Sequence, residues 1–105
     1  MDKKKIFLLD DEQDMLDTIS EILLREFDVT AENNALKAID SLKSQTYDAI
    51  LLDINMPMMN GFDVYKEISK FSDLSNTAVM FLSSITKVET KVEGLDLGAD
   101  DYILK

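Results

Sequence analysis

The chain of 105 residues contains no cysteine and no histidine. The first absence excludes disulfides and thiolate metal sites, so the fold stands on packing alone. The second removes the commonest general base, the commonest zinc ligand and any phosphohistidine within the chain. No apolar run approaches the ~20 residues of a membrane span. The start, Met1-Asp2-Lys3-Lys4-Lys5, lacks the long apolar stretch of a signal peptide, so a cytoplasmic location is expected. Basic residues are also scarce: 11 stand against 21 acidic ones, a formal net charge of −10. Such a surface repels nucleic acid and anionic membranes. It suits a domain that gathers carboxylates around a cation, although acidic surfaces also serve solubility. The length predicts one domain, 1–105, which buries somewhat over ~60% of its unfolded surface.

What is present is an alternation of short apolar runs and longer amphipathic segments. The runs are Ile6-Phe7-Leu8-Leu9, Ala49-Ile50-Leu51-Leu52, Ala78-Val79-Met80-Phe81-Leu82 and Tyr102-Ile103-Leu104. They read as strands of a parallel sheet, apolar on both faces. The more polar Val29-Thr30-Ala31 suits an edge strand. Between the runs the period becomes helical. Met15, Leu16, Ile19, Ile22 and Leu23 share one face; so do Leu36, Ile39 and Leu42, then Val64, Tyr65 and Ile68. A fourth segment carries Val88, Val92 and Leu95; Thr86-Lys87-Val88-Glu89 fits its capping box and Gly98 its C-terminal cap. The order is β-α-β-α-β-α-β-α-β, and right-handed crossovers put helices on both sheet faces. The pattern stops on a strand at Lys105, so its surface is expected to lack a covering helix.

In open parallel sheets, functional groups gather at the carboxyl ends of the strands. Counting Val29-Thr30-Ala31 as the second strand, the first is followed by Asp10-Asp11-Glu12, the third by Asp53, the fourth by Ser83-Ser84 and the fifth by Lys105. Carboxylates crowded together repel, and a hard divalent cation relieves the conflict. Magnesium takes oxygen ligands, typically one or two carboxylates with phosphate oxygens and water. A carboxylate beside it is a credible nucleophile toward phosphorus. Lys105 and the Ser83 hydroxyl can serve the charge on the equatorial oxygens. Each residue taken alone has a plainer reading. Asp10 or Asp11 could cap the first helix, Asp53 could be a turn residue, and Ser83 and Ser84 could cap the next helix. The joint arrangement at four strand ends favours the phosphoryl chemistry.

Those residues resemble the receiver domains of bacterial response regulators, over essentially the whole chain. Ile6-Phe7-Leu8-Leu9-Asp10-Asp11-Glu12 is similar to that family's first strand and acidic pair. Leu51-Leu52-Asp53-Ile54-Asn55-Met56-Pro57 with Gly61 is similar to its phosphoacceptor strand and loop. Phe81-Leu82-Ser83-Ser84 and Gly98-Ala99-Asp100-Asp101-Tyr102-Ile103-Leu104-Lys105 match its last two strand ends. The resemblance implies a flavodoxin-like α/β fold: a doubly wound five-stranded parallel sheet, order 2-1-3-4-5, without the fifth helix.

It further implies Asp53 as phosphoacceptor, and Asp11, Asp53 and the Asn55 carbonyl as ligands of Mg2+, with Asp10 acting mostly through water. Lys105 would pair with the phosphoryl group, Ser83 would bond one of its oxygens, and Tyr102 would switch inward behind it. Gly61 would let the next helix start close to Asp53. The implied partner is a sensor histidine kinase or phosphotransfer protein. The implied activity is a switch that catalyses only its own phosphorylation and dephosphorylation. Two departures stand out: Ser84 where the family usually has Ala, and no Pro and fifth helix after Lys105. The second suggests a truncated domain, with low stability or self-association through the uncovered surface. Two other classes compete. A haloacid-dehalogenase-like phosphohydrolase usually has a second Asp two residues after its nucleophile, where Asn55 stands. A flavodoxin-like binding module would want a phosphate loop after the first strand, where Asp10-Asp11-Glu12 would repel phosphate.

Overall fold

In the computed structural model, residues 3–56, 59–83 and 101–104 are described, with 83 and 101–104 as backbone only. The element order is β1 (Lys5–Leu9), α1 (Gln13–Leu23), β2 (Asp28–Glu32), α2 (Ala35–Ser44), β3 (Ala49–Asp53), α3 (Gly61–Ile68), β4 (Ala78–Ser83) and β5 (Asp101–Leu104). The strands form one parallel sheet in the order β2-β1-β3-β4-β5. The expected helix between the last two strands, at residues 86–98, lies outside the described residues. No helix among the described residues is long and apolar enough to cross a membrane.

Strand alternation divides the core in two. Phe7, Leu9, Ile50, Leu52, Val79 and Phe81 point to one face, where α2 and α3 cover them with Ala38, Ile39, Leu42, Phe62, Val64 and Ile68. Ile6, Leu8, Leu51 and Leu82 point to the other, where α1 covers them with Leu16, Ile19 and Leu23. A sheet buried on both faces demands near-continuous apolar strands, which is why β1, β3 and β4 read so clearly. Among the described residues the edge strand β2 pairs with β1 alone, and it is the more polar one, as its sequence suggests.

Two helix faces depart from the sequence expectation. Leu36 does not share the buried face of α2 with Ile39 and Leu42; it is 68% exposed. A helix advances about 100° per residue, so residues spaced 3 and 3 apart drift round the axis. The packed stripe is Ala35, Ala38, Ile39 and Leu42, and Leu36 falls well to one side. For the same reason Ile22 stands exposed at the flank of α1.

α2 begins at a cap that the sequence reading missed. The Asn34 side chain accepts from the backbone N–H groups of Leu36 and Lys37 at 2.9 and 3.2 Å. Asn34→Ala is expected to destabilise the domain by about 1 kcal/mol, read from urea unfolding midpoints.

Candidate functional site

The strand register brings the carboxylates together. Leu9 pairs with Leu52, so the next residues, Asp10 and Asp53, leave adjacent strands side by side at the carboxyl rim. Asp53 in turn pairs with Leu82, and the Ile54 N–H donates to the Leu82 carbonyl at 3.0 Å. Ser83 therefore ends β4 on the same rim, opposite Leu104 of β5. Asp10 and Asp53 are completely buried, whereas Asp11 is exposed. One carboxylate oxygen from each of the three lies within 4.8 Å of the others.

Matching turns orient the two buried carboxylates. The Glu12 N–H donates to Asp10 Oδ1, and the Asn55 N–H donates to Asp53 Oδ1, both at 2.9 Å. Such side-chain turns two residues long are usual for Asp after a strand. Asp53 therefore does act as a turn residue, as its plainer reading held, and it belongs to the carboxylate cluster as well. The N-cap position of α1 is taken by Glu12 rather than by Asp10 or Asp11, and the Glu12 side chain makes no capping hydrogen bond. Asp10 is held from the other side as well, its N–H donating to the Glu32 carbonyl at 3.2 Å.

The start of α3 presses against the same strand end. A Cβ on Gly61 would lie 2.7 Å from the Asp53 carbonyl oxygen and 3.0 Å from its carbon. Asn60 and Asp63 build a capping box at that point, at 3.0 and 3.2 Å. Below it, Phe62 stacks edge-on against Phe81 of β4, with centroids 4.7 Å apart. Sequence reading gave Gly61 its role but missed the capping box, whose signal was Asn60 three residues before Asp63.

Of the other predicted residues, Asn55 adjoins the cluster through its backbone and is half-buried. Ser83 and Tyr102 are placed by backbone on β4 and β5. Lys105, Ser84 and Pro57 lie outside the described residues.

Comparison with known proteins agrees with this geometry. The family model described as response regulator receiver domain matches residues 6–105. The chain is 40% identical over 102 residues to the transcriptional regulatory protein CpxR homolog of Haemophilus influenzae, covering 96% of this chain and 43% of that protein. It is 34% identical to the response regulator ArlR of Staphylococcus saprophyticus, covering 96% and 45%. The chain thus spans under half the length of these curated relatives. Among solved structures, the chemotaxis protein CheY4 of Vibrio cholerae superposes with a TM-score of 0.91 at 27% identity, covering 98% of this chain and 87% of that one. A Francisella response regulator receiver domain superposes at 0.87 with 30% identity, covering 98% and 84%.

Proposed function

Because the chain belongs to the response regulator receiver domain family, we propose that Asp53 accepts a phosphoryl group from the phosphohistidine of a sensor histidine kinase or phosphotransfer protein. The observation that carries this reading is the convergence of Asp10, Asp11 and Asp53 at the carboxyl rim of the sheet. Three carboxylates that close form an oxygen-only donor set, which fits a hard divalent cation such as Mg2+ and fits softer metals poorly. Asp11, Asp53 and the Asn55 backbone carbonyl would hold the ion, with Asp10 acting mostly through water. When bound, Mg2+ supplies positive charge that offsets the crowded carboxylates and the phosphoryl oxygens.

The protein's own contribution is position. The turn to Asn55 and the contact with Gly61 fix Asp53 at the strand end. A carboxylate oxygen of Asp53 forms a new bond to phosphorus as the donor's P–N bond breaks. The electron pair leaves with the imidazole, which then takes up a proton. The Ser83 hydroxyl donates to a phosphoryl oxygen and the Lys105 ammonium pairs with the group. Tyr102 would turn inward behind Ser83, and this shift would govern an output, as the name of the CpxR homolog, a transcriptional regulatory protein, suggests.

A magnesium titration followed by NMR tests this reading. The chain should bind Mg2+, and beryllofluoride should perturb residues around Asp53 only when Mg2+ is present. Asp11→Asn should weaken Mg2+ binding by more than about tenfold, because a charge pair a few ångströms apart is worth several times the energy of a tenfold change. A chain indifferent to both ions would contradict the proposal.

A further inference from the structure

The three carboxylates differ in burial. Asp10 and Asp53 are buried at the ends of paired strands. Asp11 is exposed, on the short span between Asp10 and the first residue of α1, Gln13. Its position is set on one side by the turn that Asp10 Oδ1 closes with the Glu12 N–H, and on the other by the first turn of α1. The Glu12 side chain makes no capping hydrogen bond there, and a helix start without a side-chain cap frays more readily.

Gln13 supplies a different anchor. Its Oε1 accepts a hydrogen bond from Asn33 Nδ2 at 3.0 Å, and its Nε2 donates to Asp17 Oδ1 at 2.7 Å. An ionised carboxylate only accepts, so Asp17 dictates which way the Gln13 amide faces and leaves Oε1 toward Asn33. Asn33 is itself well held. It lies between Glu32, whose carbonyl receives the Asp10 N–H, and Asn34, the cap of α2. The first turn of α1 is thus tied to the junction of β2 and α2, beside the carboxylates.

Resting on the phosphoacceptor reading above, we propose that Gln13 and Asn33 form a clasp that positions Asp11 and so tightens divalent-cation binding at the cluster. Gln13 is a positioning residue: it acts through the start of α1. Residues that orient metal ligands directly change affinity 10–100-fold. An exposed bond acting one step further away is worth less, about threefold.

The experiment is a calorimetric or NMR titration with Mg2+ alone. It compares the unaltered chain with Gln13→Ala, Asn33→Ala, the double alanine variant, and the exchanged pair Gln13→Asn with Asn33→Gln. Each single variant should weaken Mg2+ binding about threefold, and the double variant no further, because both remove one bond. The exchanged pair, which keeps the summed side-chain length, should recover most of the loss. Thermal unfolding in chelator should hardly change, which separates positioning from a general loss of stability. Single variants that bind as the parent does, or losses that multiply in the double variant, would overturn the clasp while leaving Mg2+ binding standing. So would an exchanged pair that recovers nothing. A parent chain that binds no Mg2+ would overturn the phosphoacceptor reading, and the clasp with it.

Discussion

Asp53→Asn is expected to abolish covalent phosphorylation while leaving the fold intact. The two side chains have nearly the same shape, and the position is completely buried. An asparagine oxygen can still accept the Asn55 N–H, and its amide can donate to a neighbouring carboxylate of the cluster. What disappears is the nucleophile, since an amide cannot attack phosphorus as a carboxylate does. A second effect follows from charge. With one oxygen of each carboxylate within 4.8 Å of the others, a charged pair at an effective dielectric of 20 repels by roughly 3 kcal/mol. Solvent at the exposed Asp11 and local relaxation reduce this. In chelator, the variant should therefore be more stable than the parent by about 1 kcal/mol, or a melting temperature higher by ~5 °C. Added Mg2+ should then stabilise it much less. Intact mass after incubation with acetyl phosphate reads the first effect, and thermal melts with and without Mg2+ read the second.

Gly61→Ala is expected to destabilise the domain by about 2–3 kcal/mol and to slow phosphorylation at Asp53 as well. The sign is the informative part. In an open helix, alanine in place of glycine stabilises by up to ~1 kcal/mol. Here the added carbon would meet the Asp53 carbonyl oxygen at 2.7 Å and Ile54 Cγ2 at 3.1 Å. The first obstacle is backbone in a central strand, which has nowhere to go. Moving α3 instead would disturb the Asn60–Asp63 box and the Phe62–Phe81 contact. Glycine is needed for closeness of approach, and the same closeness fixes the acceptor. Urea unfolding measures the stability, and the time course of acetyl phosphate labelling measures the acceptor.

The strands and their two-faced burial were legible because a sheet covered on both sides leaves little choice of residue type. Phe7 and Leu8 point to opposite faces, and both must be apolar. The edge character of β2 was legible for the converse reason. The strand order was implied by the family resemblance, since periodicity carries no information on which strands are neighbours. Helix faces were legible only approximately. Leu36 and Ile22 fit an apolar stripe by spacing, yet a stripe drifts and the sheet covers only part of it. The carboxylates were legible as strand-end residues, but their meeting depends on the register of Leu9 with Leu52. The tie from Gln13 to Asn33 joins residues twenty apart through exposed amides, and no local pattern marks it.

The proposed function turns on Asp53 as the phosphoacceptor of a cation-assisted site. The most direct measurement is to treat the chain with acetyl phosphate, with Mg2+ or with chelator, and to map the phosphorylated residue by peptide mass spectrometry. One phosphoryl group is expected, on Asp53, formed with Mg2+ and lost in chelator. A phosphoryl group on another residue, or none under either condition, would contradict it.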